Sequence, residues 1–456
     1  MAIGDAQEGR GEDLKARLEQ GPISRYQILA IAICFAIFIL DGFDALVIAF
    51  TGPEISNALQ LTGTELGALF SASLVGMAIG AIVLAPYADR YGRRPLVLSS
   101  LVIVTVGMLL SAFAGSLDTL ILLRVLTGIG IGVALASVNI IVAEYSPAKS
   151  RALAIGIVQT AYPIGATLGG ALAIVLIEHS GWQSVFVAGS LGSALLIPVA
   201  LGLLPESIQY LASKQPPGAL ERINRQLSRM GRERISALPA RAAAADAVGV
   251  RGLLGPAFLK STLLLWAAFF IVMFCLYFVL SWTPKLLIES GLSSSEGISG
   301  GIVLHIGGIT GQLMLGYLAA RYDLRKLLAG YFGLAVIAMI AFGVLIENLP
   351  LALITAWLTG FFVLGAITGS YAATAAVYPT EIRTTALGWA LGVGRIGAIL
   401  SPTIAGLLLD RDVSPQSLYV LFGVTMLIGM IIVAGLPSAR AVDDGRPGRP
   451  RPAEGG

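Results

Sequence analysis

The sequence predicts an all-α integral membrane protein: twelve spanning helices in two pseudo-symmetric bundles of six, with both termini on the cytoplasmic side. Three observations predict it. Hydrophobic residues make up 56% of the 456 residues and charged residues only 12%, with a mean hydropathy of +0.83, whereas an average soluble domain is about 25% charged. Twelve apolar stretches approach or exceed the roughly 20 residues that a helix needs to cross a bilayer. Lys and Arg, finally, are gathered in alternate connecting segments. So much apolar side chain exceeds what one globular core can bury, which excludes a soluble enzyme and a nucleic-acid binder. The 55 Gly suit close helix packing in a membrane.

The stretches run in order over 26–50, 65–87, 95–114, 118–144, 152–177, 183–204, 258–283, 298–320, 327–346, 350–377, 385–409 and 415–436. The first 25 residues are polar and of mixed charge, and the first apolar run is too long for a signal-peptide core; residues 1–25 are therefore a cytoplasmic N-terminal segment. Residues 26–204 hold six spans, 205–257 form the longest polar interval, and 258–436 hold six more. Residues 437–456 are expected to be a disordered cytoplasmic tail. The two cysteines, Cys34 and Cys275, lie in separate apolar runs, so neither a disulfide framework nor a metal-ligand spacing is present. No metal and no cofactor is expected.

Orientation follows from the basic residues. With both termini inside, 26 of the 30 Lys and Arg fall in cytoplasmic segments, including nine between 214 and 260. The outer loops hold Lys285 and Arg411, and only Arg124 and Arg395 lie inside helices. This is the charge bias of a protein with its positive loops inside.

The two halves repeat. Arg90-Tyr91-Gly92-Arg93-Arg94 after the second stretch matches Arg321-Tyr322-Asp323-Leu324-Arg325 after the eighth, at a shift of 231. Pro147-x-x-x-Arg151-x-x-x-x-Gly156 matches Pro379-x-x-x-Arg383-x-x-x-x-Gly388 at a shift of 232. Two matches at nearly one offset indicate parallel duplicated bundles, a build that places substrate near the midplane between the halves.

These residues resemble the major facilitator superfamily. Ala85-Pro86-Tyr87-Ala88-Asp89-Arg90-Tyr91-Gly92-Arg93-Arg94-Pro95 is similar to its signature between helices two and three. Arg124-x-x-x-Gly128-x-Gly130-x-Gly132 is similar to its fourth-helix motif, and Leu204-Pro205-Glu206-Ser207 to the end of its sixth helix. Ala85 stands where the signature usually has Gly, and the second-half copy has Ala320 in the place of Asp89. Within the superfamily, Asp41-Gly42-Phe43-Asp44 resembles the first helix of the aromatic acid:proton symporter family, and Tyr378-Pro379-Thr380-Glu381-x-Arg383 and Gly392-x-Gly394-Arg395-x-Gly397 are also similar to segments of that family. The resemblance implies a non-enzymatic carrier in the inner membrane of a bacterium. It would import a benzoate-like or hydroxybenzoate-like carboxylate with protons, acting as a monomer in the lipid bilayer and binding no nucleic acid.

The chemistry can also be read from the residues. Asp41 and Asp44 are three apart and share a helix face. An Asp at the centre of a spanning helix costs about 2.5–3.5 kcal/mol, and of two close carboxylates one has its pKa raised. Proton coupling and a structural pairing with Arg are the two readings. Arg395 lies eleven residues beyond Thr384, about 16 Å along a helix and so near mid-membrane, while Arg124 lies nearer the outer side. A guanidinium presents a planar fork that matches a carboxylate. Each Arg is either a substrate ligand or half of an internal salt bridge, for instance Arg124 with Asp41 or Asp44.

Asn139, Gln159, Tyr162, Tyr277, Trp282 and Tyr371 are expected to line the substrate cavity, the aromatics with a polar tip against an aromatic ring. Asp89, Arg93, Glu144, Arg151, Glu381 and Arg383 are expected to gate the cytoplasmic end. His305 is either a packed core residue or a proton relay. A proton-coupled importer of another organic anion, or a drug/proton antiporter of the same fold, is the alternative. Such exporters usually carry Gly-Pro in the fifth helix, where this chain has Tyr162-Pro163.

Overall fold

The computed structural model describes Leu14, residues 22–239 and residues 250–436. The predicted tail at 437–456 and nearly all of 1–21 lie outside the described residues, as does the side chain of Glu381. Twelve helices are long and apolar enough to cross a membrane. They are α1 Arg25–Leu59, α2 Gly63–Tyr91, α3 Arg93–Ser111, α4 Leu117–Glu144, α5 Arg151–Ser180, α6 Gln183–Leu203, α7 Leu259–Glu289, α8 Ser294–Ala319, α9 Leu324–Leu345, α10 Leu349–Val377, α11 Thr380–Leu409 and α12 Pro415–Ala434. Each predicted span falls on one of them.

Capping chemistry sets several starts. α1, α2 and α8 each begin with a capping box, from Ser24 with Gln27, Thr62 with Glu65, and Ser293 with Glu296. Each box satisfies two otherwise orphaned N–H groups. α1 runs well past the predicted end at 50. Thr51, Glu54 and Ser56 end the apolar run but not the helix, which continues through Pro53 until Gln60 turns left-handed. Near the end of α2, Gly80–Leu84 form a π-helical turn and Ala85–Tyr87 a 3-10 turn.

The packing repeats as the sequence does. α1 packs on α5 as α7 packs on α11, α2 on α4 as α8 on α10, and α3 on α6 as α9 on α12. The halves meet through α2 with α11, α5 with α8 and α1 with α7, and a shift of six helices maps this set onto itself. The α1–α5 approach is very close. A Cβ on Gly42 would collide with the carbonyl of Tyr162, and one on Gly165 with the carbonyl of Ile39. The middle Gly of Asp41-Gly42-Phe43-Asp44 thus exists to let α5 touch the backbone beside both carboxylates.

Three groups of hydrogen bonds tie the halves together at one end. Asp410 at the end of α11 accepts from the backbone N–H groups of Gly63 (2.6 Å) and Thr64 (2.7 Å) and from the Thr64 hydroxyl (2.5 Å). Ser71 Oγ donates to the Ile399 carbonyl at 2.7 Å, and Ser294 Oγ to Glu54 at 2.9 Å. The opposite end carries the basic segment Arg90–Arg94 and the helices Ile208–Lys214 and Ala219–Arg229, which pack Ile208, Leu211, Ile223 and Leu227 under the first bundle. The interval 205–257 is therefore partly helical.

Candidate functional site

Asp44 and Arg124 form a buried pair within the first half. Arg124 Nη1 donates to Asp44 Oδ1 at 2.7 Å and Nη2 to Ser111 Oγ at 2.8 Å, and the guanidinium lies 5.0 Å from the centre of the Phe186 ring. Both charged side chains are 0% exposed. A charge taken into the bilayer must be paired, and here the carboxylate, a hydroxyl and an aromatic face share that task. Asp41, one turn earlier, is also buried, and its Oδ2 has no hydrogen-bond partner. Of the two α1 carboxylates, one is neutralised by Arg and the other is not.

Arg395 is placed differently. It lies fifteen residues beyond Thr380 in the 30-residue α11 and is half-buried. Among the described residues, its guanidinium makes no hydrogen bond and no ion pair. Tyr162 of α5 and Tyr371 of α10 lie within electrostatic reach of it, and Tyr277 of α7 within reach of both tyrosines. Tyr162 is likewise within reach of Asp41 and Asp44. Groups from both halves thus converge on one space: Asp41 and Tyr162 from the first, Tyr277, Tyr371 and Arg395 from the second. Tyr371 is 39% exposed while its ring packs edge-on against Phe269 at 5.5 Å. Gln159 is exposed one turn before Tyr162. Asn139 donates to the Leu135 carbonyl at 2.8 Å, and its Oδ1 is buried without a partner.

Trp282 is not exposed to that space. It is fully buried, its indole N–H donates to the Pro402 carbonyl at 3.1 Å, and its ring meets Phe70 of the first half edge-on at 5.2 Å. It packs in the seal near the Asp410 end. His305 is also buried. Its Nδ1 is 2.7 Å from the Gly301 carbonyl, and its Nε2 has no partner.

At the opposite end a charge network centres on Arg93. Its guanidinium donates to Glu144 (2.5 Å), Ser207 (2.8 Å) and Asp89 (3.3 Å). Ser207 Oγ also donates to Glu144, at 2.8 Å, and Glu206 accepts from the backbone N–H groups of Arg93, Arg94 and Ser207. These bonds fasten the α2–α3 turn to the end of α4 and the exit of α6, all within the first half. Arg151 donates to the Ala143 carbonyl at 3.0 Å, and Arg383 to the Tyr378 carbonyl at 3.3 Å.

The model of the Major Facilitator Superfamily matches residues 33–346 and 301–455. The chain belongs to the Major Facilitator Superfamily. The gallate transporter of Pseudomonas putida is 33% identical over 94% of this chain and 96% of its own length. The 4-hydroxybenzoate transporter PcaK of Acinetobacter baylyi is 31% identical over 94% and 93%, and the 3-(3-hydroxy-phenyl)propionate transporter of Escherichia coli 29% over 84% and 87%. Among solved structures, the inward-open xylose transporter XylE from E. coli superposes with a TM-score of 0.71 at 16% identity, over 91% of this chain and 98% of that one; it shows the fold. This facilitator is accordingly a multi-pass membrane transporter and not an enzyme.

In this facilitator two partners of the site were not singled out from sequence. Ser111 and Phe186 complete the shell of Arg124, and neither bears a motif. Glu206 and Ser207 were legible only as part of Leu204-Pro205-Glu206-Ser207, and the structure shows what they do: they cap α3 and bind Glu144.

Proposed function

We propose that this facilitator imports an aromatic carboxylate of the benzoate or hydroxybenzoate class together with protons, by alternating access, across a bacterial inner membrane. The observation that carries the reading is the unpaired guanidinium of Arg395 among Tyr162, Tyr277 and Tyr371. A half-buried cation without a counter-ion is the natural partner of an anion, and its fork fits a carboxylate. The tyrosines supply flat apolar faces with polar tips, which suit an aromatic ring. The names of the relatives, carriers of gallate and 4-hydroxybenzoate, support the same class.

Asp41 is the proton carrier in this reading. A buried carboxylate without a partner is costly unless neutralised, and Asp44 already has its cation. Residues 26–204 and 258–436 act as the two rocking bundles, the monomer is the working unit, and both termini face the cytoplasm with the Arg93 end. The Asp410 end, where the halves are bonded together, then faces outward, so the described state is closed to the outside.

The test is uptake of radiolabelled 4-hydroxybenzoate into proteoliposomes. The reading expects accumulation above the outside concentration when the lumen is alkaline, and only equilibration without a gradient. Accumulation independent of the pH gradient refutes proton symport, and absence of flux for a panel of aromatic acids refutes the substrate class.

A further inference from the structure

The end of the molecule that carries Arg93 holds a cavity with no role in the transport reading. It opens where α1 and α3 begin and α6 ends, has a volume of about 410 Å³, and is walled in part by Tyr26, Tyr91 and Leu203. The helix Ala219–Arg229 supplies another side. Its Arg222, Arg225 and Arg229 fall at spacings of three and four, so they share one face, and together with Arg94 of α3 they line the cavity. Gln226 donates to the Glu206 carbonyl at 3.1 Å and fixes the helix against the exit of α6.

The charges on this wall are unbalanced. Among the described lining residues the carboxylate is Glu206, which already accepts from the backbone N–H groups of Arg93, Arg94 and Ser207. Among the described residues Arg94, Arg222, Arg225 and Arg229 form no ion pair. Glu221 stands one turn before Arg225, a spacing that suits an ion pair, yet the two do not bond. The Arg229 guanidinium lies 5.5 Å from the centre of the Tyr26 ring. Arg94 donates through Nη2 to the Leu201 carbonyl, and its buried Nε has no partner. Arg325, 231 positions on, likewise bonds to the Leu436 carbonyl, at 3.2 Å, so this clamp belongs to the duplicated fold. The three arginines of the helix come from the interval between the halves. Packing does not account for them, because Ile223 and Leu227 anchor the helix.

We propose that this cavity binds the phosphate headgroup of an acidic phospholipid, held by Arg94, Arg222, Arg225 and Arg229. The cavity lies at the level where three spanning helices start or end, which is the boundary of the bilayer. Guanidinium forks match phosphate oxygens, and basic pockets between spanning helices suit acidic headgroups. Tyr26 and Tyr91 carry the amphipathic rings favoured at that depth. Leu201 and Leu203 at the end of α6 are exposed and lead from the cavity wall onto the surface that meets acyl chains, for which a soluble phosphate has no use. A lipid held there ties the helix Ala219–Arg229 to α3 and α6, whatever the transported substrate.

The experiment follows lipid retention by native mass spectrometry, and melting temperature, on the full-length protein in a neutral detergent. Phosphatidylglycerol, phosphatidylcholine and inorganic phosphate are added in turn. The triple variant Arg222→Gln, Arg225→Gln, Arg229→Gln is set beside a control of equal charge change, Lys260→Gln, Arg321→Gln, Lys326→Gln, whose residues are exposed outside the cavity. The wild type should retain phosphatidylglycerol about tenfold better than phosphatidylcholine, or more, and melt higher in its presence. The triple variant should lose that preference and the control should keep it. Equal retention of the two lipids by the wild type overturns the proposal, as does an unchanged preference in the triple variant or an equal loss in the control. Stabilisation by inorganic phosphate that matches phosphatidylglycerol also overturns it, since the site then takes a free anion. Should the triple variant not fold, Arg225→Gln and Arg229→Gln singly replace it, and an unchanged preference in both overturns the proposal.

Discussion

Arg124 and Asp44 bond to each other at 2.7 Å, both wholly buried, and so remove one cation and one anion from the set available to substrate and proton. Deep in the spanning helices, and among the described residues, Asp41 in the first half and Arg395 in the second make no ion pair. The proposed division of labour, with Asp41 for the proton and Arg395 for the substrate, rests on that single bond.

The pair itself is testable by stability. Removing one partner of a buried ion pair leaves an uncompensated charge and costs about 3–5 kcal/mol. Asp44→Asn or Arg124→Gln should lower the melting temperature of the purified protein markedly, and the double variant should recover part of the loss. Additive losses would show that the two side chains do not act as a pair.

Asp41 is expected to matter for coupling and not for folding, since no ion pair is lost with it. Asp41→Asn should abolish accumulation driven by a pH gradient while exchange of substrate at equal pH survives. Full accumulation by Asp41→Asn would move the proton to another group.

The Asp410 latch has a pH dependence of known sign. Partial burial pulls its carboxyl upward, but the hydrogen bonds from Thr64 and Gly63 outweigh this and hold it below the usual carboxylate range. A depressed value means that the ionised form is favoured by the closed end. The latch is therefore fully present above the ordinary carboxylate range and weakens as pH falls through the lowered value. Asp410→Asn should open this end at neutral pH, read as a longer distance between spin labels at Thr62→Cys and Arg411→Cys. In the otherwise wild-type protein the same lengthening should appear only in acid. Identical distances with and without Asp410 would dismiss the latch.

In the Arg93 network, Asp89 and Glu144 are unequal. The Asp89 side chain is 72% exposed and bonds at 3.3 Å, whereas Glu144 is 12% exposed and bonds at 2.5 Å. An exposed pair is worth at most about 1 kcal/mol. Glu144→Gln should slow uptake and lower the melting temperature more than Asp89→Asn, with substrate binding by calorimetry unchanged in both. Weakened binding would place these residues in the site.

The spans were legible because a bilayer demands long apolar runs, and α4, α10 and α11 end within a few residues of their predicted limits. The last turns of α1 were not, because Thr51, Glu54 and Ser56 look like the end of a run although they still propagate the helix. Nor was the bond between Asp410 and Gly63, 347 positions apart, since a cap supplied by another helix leaves no period in the sequence. Asp41, Asp44, Arg124 and Arg395 stood out as charges inside apolar runs, but which Arg is paired depends on Ser111 and Phe186, which only the packing of α3 and α6 brings to Arg124. Trp282, like Tyr277, reads as a cavity aromatic by its polar tip, yet the contact of α2 with α11 encloses it beside Phe70.

The most direct test of the account is calorimetric binding of 4-hydroxybenzoate to the wild type, Arg395→Lys and Arg395→Ala. A lysine keeps the charge but not the fork, and loss of a charge-assisted pair in a partly dry site costs about 2–5 kcal/mol. The account predicts binding weakened in Arg395→Lys and weakened further in Arg395→Ala, with 4-hydroxybenzamide a poor ligand of the wild type. Wild-type affinity for the acid in Arg395→Ala would contradict it.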